Sequence, residues 1–67
     1  MKIYSLTYAE RNTFSIVQYV IIAMREQGKS EKEIIQYHNE ALSGDFDTTI
    51  NVSENMICQL NKNIKAT

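Results

Sequence analysis

The sequence predicts an all-α domain built from three helices. Three observations support this: residue patterns typical of helix starts at Thr7, Ser30 and Ser53, glycines where the first two helices should end, and apolar residues that recur with the 3.6-residue helical period. The chain has 67 residues, so we expect a single domain over residues 1–67. A monomer this small buries only about 60% of its unfolded surface, which favours stabilisation by a partner.

The first helix is predicted to run from Thr7 to Gly28. Thr7 and Glu10 have the spacing of a capping box, in which each side chain accepts a hydrogen bond from the backbone of the other residue. Gly28 is suited to the left-handed conformation that commonly follows a helix. A helix between these signals would have about 20 residues and would be the longest in the domain.

The second helix is predicted to start at Ser30, where Ser30 and Glu33 form another capping box. Because this start follows Gly28 by two residues, the first two helices should form a tight corner there. Gly44 predicts that the second helix ends near Ser43.

The third helix is predicted to start at Ser53, after an acidic loop at residues 45–51. Two segments, residues 2–8 and 48–52, alternate apolar and polar side chains with the period of two that is typical of a strand. They predict a short two-stranded ribbon packed beside the helices. Such a ribbon would need support from the helices or from another chain, because two strands alone are barely stable in water.

Composition excludes several classes of protein. Seven basic and eight acidic residues leave a net charge of −1, which argues against nucleic acid or an anionic membrane as the partner. The apolar stretch IVQYVIIAM, residues 16–24, is too short to span a bilayer, which takes about 20 apolar residues. The first residues lack the pattern of a signal peptide, so a cytoplasmic location is expected. Cys58 is the only cysteine and cannot form a disulfide within the chain.

The apolar stretch predicts self-association. One side of the first helix provides a core face, yet Tyr19 and Ile22 project from the opposite, mostly polar side, while Ile16 and Ala23 widen the apolar surface. Two shorter helices with one apolar stripe each cannot cover all of it. We therefore predict a homodimer whose interface contains Tyr19, Ile22, Ile16 and Ala23.

The predicted core face of the second helix contains Ile34, Ile35, Ala41 and Leu42. His38 lies within this apolar face and has two interpretations. It is either a hydrogen-bonded histidine at the edge of the core or a pH-sensitive contact at a subunit interface, because imidazole titrates near neutrality.

No motif predicts catalysis, a metal or a cofactor. Gly28-Lys29-Ser30 matches only the end of a phosphate-binding loop, because the glycine required five residues before Gly28 is replaced by Ala23. The acidic segment 45–51 resembles the start of a calcium-binding loop but lacks its glycine and its bidentate glutamate. A nucleophilic pair of Cys58 and His38 has no evident orienting group. We therefore expect a protein that is not an enzyme.

The stretch QGKSEKEII, residues 27–35, is similar to the approach to the second helix of helix-turn-helix proteins. That resemblance implies DNA binding by the third helix, with contacts from Asn55, Gln59, Lys62 and Lys65. Two features depart from the pattern. The predicted connection from Gly44 to Val52 exceeds the usual three or four residues. Four acids with no base between them, Glu40, Asp45, Asp47 and Glu54, also lie next to the recognition helix and repel phosphate.

The function predicted from these observations is a small, non-enzymatic interaction or regulatory module. It would act as a homodimer through the first helix and bind another protein, still unidentified, by surface complementarity. Its size is typical of accessory proteins encoded on bacterial or mobile-element genomes. The alternative is a helix-turn-helix-like DNA-binding regulator that uses the third helix.

Overall fold

A computed structural model describes residues 3–66, with side chains described for residues 3–64. It contains a short 3-10 helix, Leu6–Tyr8, and three α-helices: α1 (Thr13–Glu26), α2 (Glu31–Ala41) and α3 (Phe46–Ala66). The prediction of an all-α, three-helix domain is confirmed. α3 packs against both α1 and α2, and it also contacts the 3-10 helix.

The predicted start of α1 at Thr7 is wrong. Thr7 lies in the 3-10 helix, where its backbone N–H donates to the Ser5 hydroxyl. α1 is instead capped by Asn12, whose Oδ1 accepts a hydrogen bond from the backbone N–H of Ser15 at 2.8 Å. Both Thr7 and Asn12 are suitable caps, and Asn12 is used because the residues before it fold back onto α1 and α3. α1 therefore has 14 residues, and α3, with 21, is the longest helix.

The corner at Gly28 forms as predicted. Gly28 has a φ of +79°, the left-handed conformation that glycine adopts without steric cost. Its N–H donates to the carbonyl of Arg25 at 3.1 Å, and the N–H of Lys29 donates to the carbonyl of Met24 at 3.0 Å. This pair of hydrogen bonds satisfies two carbonyls at the end of α1 that have no partner within the helix.

The cap of α2 is also as predicted. The Ser30 hydroxyl accepts from the backbone N–H of Glu33 at 3.2 Å. The helix ends at Ala41, slightly earlier than the expected Ser43.

The predicted start of α3 at Ser53 and the predicted ribbon are both wrong. Asp45 precedes α3, and its Oδ1 accepts from the backbone N–H of Thr48 at 3.0 Å and from the Thr48 hydroxyl at 3.1 Å. Residues 48–52 are therefore helical, and no strand occurs within residues 3–66; Lys2, the first residue of the proposed ribbon, lies outside that range.

The true start of α3 was missed because two of its core positions are polar. Thr49, Ser53, Ile57 and Leu60 follow the helical period and are all buried. The hydroxyls of Thr49 and Ser53 hid this periodicity in the sequence. Both are satisfied: the Thr49 hydroxyl donates to the Ala41 carbonyl at 2.7 Å, and Ser53 is hydrogen-bonded to Tyr37.

The core lies between the three helices. α1 contributes its most buried side chains at Val20 and Met24, α2 contributes Ile34 and Tyr37, and α3 contributes Leu60. Among the described side chains, every buried nitrogen or oxygen atom has a hydrogen-bond partner. The core thus uses one side of α1 and one side of α2, and the opposite sides remain available for contacts.

Candidate interaction surfaces

The N-terminal segment, residues 3–9, covers part of α1. The Tyr19 hydroxyl accepts a hydrogen bond from the backbone N–H of Ser5 at 3.0 Å. The ring of Tyr4 packs edge-on against the ring of Tyr19, with centroids 6.4 Å apart. Tyr19, which the sequence analysis assigned to a self-association interface, is therefore half-buried against the chain's own N-terminal segment.

The other predicted interface residues separate into two groups. Ile16 and Ala23 are buried in the monomer and are not available to a second copy of the folded chain. Ile22 is 56% exposed. The helical projection correctly placed Ile22 on the surface, but it could not show which neighbours cover the border of the core face.

A second apolar surface was only partly predicted. It lies on the hairpin of α1 and α2, and we call it the outer face. Its large apolar side chains are Phe14 (72% exposed), Ile22 (56%), Ile35 (56%) and Leu42 (46%). The sequence analysis assigned Ile35 and Leu42 to the buried face of α2, which is wrong, because that face is formed by Ile34, Tyr37 and Ala41.

The position of the outer face follows from helical geometry. Ile22 lies two residues after the buried Val20, and Ile35 lies two residues before the buried Tyr37. Two residues along a helix are about 200° apart, so Ile22 and Ile35 point away from those core side chains. Because Tyr37 contacts α3, Ile35 points away from α3.

An ion pair lies between the two halves of the outer face. The Arg25 guanidinium is 3.5 Å from the Glu31 carboxylate. Arg25 is one turn after Ile22 and Glu31 is one turn before Ile35, so the ion pair lies beside both isoleucines. The pair leaves the centre of this surface with balanced charge.

His38 lies at the border of the outer face. It is exposed, so it is not the buried, core-edge histidine of the first interpretation. It is spaced three residues from Ile35 and four from Leu42, the spacings of neighbours on a helix surface. Its role as a contact at a subunit interface stays a prediction.

The predicted DNA contacts lie along α3. Asn55, Gln59 and Lys62 are exposed, and the side chain of Lys65 lies outside the described residues. Asn55 and Gln59 line a cleft between α2 and α3 that also contains Glu33 and Glu40. Lys62 lines a different cleft, beside the N-terminal segment. Lys29 lines the same cleft as Asn55 and Gln59 and lies 3.7 Å from the Glu33 carboxylate, so Glu40 leaves that cleft with a net negative charge that repels phosphate.

Within residues 3–66, no group of three or more His, Cys, Asp or Glu side chains is arranged to hold a metal ion. Cys58 is exposed on α3 and lines the cleft beside the N-terminal segment, whereas His38 belongs to α2. None of the helices in the described part of the chain has the length and apolarity needed to cross a membrane.

Sequence patterns did not predict the contact between Asn61 and Tyr4, which joins the N-terminal segment to α3. The Asn61 side chain accepts from the Tyr4 N–H and donates to the Tyr4 carbonyl, both at 2.9 Å. The only sequence signal was the alternation of Tyr4, Leu6 and Tyr8, which suggested a strand and therefore a need for backbone partners.

Comparison with protein-family models, curated proteins and solved structures finds no significant match to this chain.

Proposed function

We propose that this chain is a non-enzymatic interaction module that acts as a homodimer through the outer face. The main supporting observation is the exposure of four large apolar side chains on α1, on α2 and at the residue that follows α2: Phe14, Ile22, Ile35 and Leu42. Exposed large apolar side chains that lie together are typical of an interface, and Ile22 and Ile35 both point away from the core residues of their helices.

The free energy available from this surface is large for a small domain. Full burial of an isoleucine, leucine or phenylalanine side chain stabilises by about 1.5 to 3 kcal/mol. A core in a domain of this size supplies only about 3 to 5 kcal/mol of net stability. Covering even two of the four side chains would therefore add substantially to the stability of the folded chain.

A second copy is the occupant that best fits the charge and size of the outer face. Arg25 and Glu31 balance each other, so two copies related by a two-fold axis do not repel and can exchange ion-pair partners. The Cα atoms extend over 34 × 26 × 15 Å, so a domain of these dimensions is large enough to contribute the roughly 800 Å² that each partner supplies to a standard interface.

Sedimentation equilibrium over a range of protein concentrations tests this proposal. We expect a monomer–dimer equilibrium that Ile22→Glu and Ile35→Glu each shift towards monomer by about tenfold or more, because each variant buries an unpaired carboxylate. The control is Asn51→Glu, which adds the same charge at an exposed position of α3. A chain that stays monomeric at millimolar concentration, or a dimer that Ile22→Glu leaves unchanged, would refute the proposal.

A helix-turn-helix-like DNA-binding function is the second candidate, and one observation favours it. Residues 42–45 connect α2 to α3, and a connection of four residues is within the usual range for this motif. The predicted long connection, which counted against the motif, is wrong. Acidic residues still count against DNA binding, because Asp45, Asp47 and Glu54 occupy the N-terminal part of α3 and the turn before it.

Fluorescence anisotropy with random duplex DNA at low salt distinguishes the two candidates. If the chain binds DNA, its affinity should fall as the salt concentration rises. Lys62→Ala should weaken binding and reduce the slope of log affinity against log salt concentration by about one. Absence of binding at low salt would eliminate this candidate and leave the homodimer proposal unaffected.

A further inference from the structure

Tyr4 is held by the rest of the chain in the way that a peptide ligand is held. The side-chain amide of Asn61 accepts a hydrogen bond from the Tyr4 backbone N–H and donates one to the Tyr4 carbonyl, each at 2.9 Å. One asparagine thus satisfies both main-chain groups of one residue, as a neighbouring strand would. The next backbone N–H, that of Ser5, donates to the Tyr19 hydroxyl at 3.0 Å.

The Tyr4 side chain fills a pocket suited to tyrosine. Tyr4 is 5% exposed, and its ring packs edge-on against Tyr19. Its hydroxyl donates to the Glu26 carboxylate at 2.8 Å and accepts from the Gln27 side-chain amide at 3.1 Å. The pocket therefore provides an apolar slot, a hydrogen-bond acceptor and a hydrogen-bond donor, which together select tyrosine over phenylalanine.

The hydrogen-bond partners of Tyr4 and of the Ser5 N–H lie on α1, on Gln27 just after α1, or on α3. The segment reaches α1 through residues 9–12, where the Asn12 N–H bonds to the Glu10 carbonyl at 2.8 Å in a tight turn. Glu10, Arg11 and Asn12 are exposed. The same segment of a second copy can therefore make the same contacts, provided that this turn opens.

We propose that the groove formed by Tyr19, Glu26, Gln27 and Asn61 is a peptide-binding site, and that its occupant in trans is residues 3–8 of a second copy. The segment has the chemistry that the groove recognises: a tyrosine whose main-chain N–H and carbonyl bond to the Asn61 side chain, followed by a small serine with an extended backbone. In the monomer, the short connection to α1 gives the segment a high effective concentration at its own groove. The segment of a second copy competes with it only when the protein is concentrated, so exchange between chains increases with protein concentration. This exchange uses a surface separate from the outer face.

Disulfide trapping between two different chains tests the exchange. Thr7 and Cys58 line the same cleft. The donor chain carries Thr7→Cys with Cys58→Ser, and the acceptor is the wild-type chain labelled with a heavy isotope. A disulfide from the donor thiol to Cys58 can then form only between molecules, and mass spectrometry distinguishes it from homodimeric products. The control donor carries Ser43→Cys with Cys58→Ser, which places the thiol at an exposed position between α2 and α3.

We expect the Thr7→Cys donor to give about tenfold more mixed disulfide than the control donor, because binding in the groove raises the local thiol concentration. An Asn61→Leu acceptor should reduce the yield to the control level, since it removes both main-chain hydrogen bonds. If that acceptor is poorly folded, a Tyr19→Phe acceptor, which loses only the bond to Ser5, should give a smaller reduction. Equal yields from the two donors, or a yield that neither acceptor variant lowers, would refute the proposal.

The proposed segment exchange and the proposed dimer through the outer face can be tested independently. Introducing Ile22→Glu into both chains should leave the mixed-disulfide yield unchanged, because Ile22 does not line the groove. A yield that falls with Ile22→Glu to the control level would show that contact through the outer face, not occupation of the groove, brings the thiols together, and it would refute the exchange.

Discussion

The hydroxyl oxygens of Tyr37 and Ser53 lie 2.6 Å apart in the core, where they join α2 to α3. Ser53 is fully buried in the middle of α3, and its small side chain leaves room for the Tyr37 ring. Because each hydroxyl is the partner of the other, the pair aligns the two helices as well as stabilising them.

The first prediction concerns the energy of this pair. Tyr37→Phe and Ser53→Ala should each lower the free energy of unfolding, Ser53→Ala by about 1 to 3 kcal/mol because it leaves the phenol hydroxyl buried without a partner. Tyr37→Phe should cost less, because a helical serine can bond to a carbonyl in its own helix.

Urea denaturation of both variants and of the double variant measures the interaction. We expect the loss in free energy of unfolding of the double variant to be about 1 kcal/mol smaller than the sum of the two single losses. Additive effects would contradict a stabilising hydrogen bond between the two hydroxyls.

The second prediction concerns alkaline pH. Burial raises the pKa of Tyr37 and that of Tyr4; the hydrogen bond from Gln27 opposes the effect at Tyr4, while the nearby Glu26 carboxylate adds to it. In the unfolded chain both tyrosines ionise near the ordinary pKa of 10.0. Below that pH both states are protonated, and above it the unfolded state loses protons first.

Stability should therefore fall as the pH rises above 10.0, by at most about 1.4 kcal/mol per pH unit for each tyrosine. Urea denaturation at several pH values up to about 11 measures this slope. Tyr37→Phe provides the control, since it should make the slope shallower. An equal slope in that variant would rule out Tyr37 as a source of the alkaline instability.

The third prediction concerns the cap of α3. Hydrogen bonds from the backbone N–H and the hydroxyl of Thr48 lower the pKa of Asp45. Asp45→Ala should lower the Tm by removing the cap, whereas Asp45→Asn should retain most of it, because asparagine is an equally good N-cap. Circular dichroism melts at neutral pH compare the two variants, with Asp47→Ala as the control that removes a neighbouring carboxylate.

The charge of Asp45 adds a pH dependence to that comparison. Because its folded pKa lies below its unfolded value of 3.8, the ionised carboxylate stabilises the fold above that pH, and the effect is lost as the pH falls through the folded pKa. The difference in Tm between wild type and Asp45→Asn should shrink over that acidic range. A difference that stays constant down to the lowest pH would exclude an electrostatic contribution.

The fourth prediction concerns the corner between α1 and α2. A Cβ added at Gly28 has no heavy atom within 4 Å, so substitution there tests the backbone conformation alone. Gly28→Ala should cost about 1 kcal/mol, because its φ of +79° is unfavourable for alanine. Gly28→Asn should cost less, since asparagine adopts this conformation more readily. Thermal and urea denaturation of both variants test the order, and equal losses would point to a cause other than the left-handed backbone.

The features that sequence analysis predicted correctly are local ones. The Ser30 cap and the Gly28 corner depend on residues within one helical turn, so their patterns were sufficient. The starts of α1 and α3 were misplaced because several residues compete as caps. Asn12 and Asp45 are used in place of Thr7 and Ser53 because of contacts formed by the folded chain.

The candidate surfaces were predicted only in part for a related reason. Helical periodicity correctly placed Ile22 on the surface. It assigned Ile35 to the core because it lies beside Ile34, and only the packing of α2 on its neighbours distinguishes these two adjacent isoleucines.

The sequence by itself determined the number of helices and the corner between the first two, because propensity, capping and glycine conformation act over a few residues. The tertiary structure decided which apolar side chains are covered. That choice depends on contacts such as the one between Asn61 and Tyr4, which are 57 residues apart in the chain and meet only when the three helices have packed together.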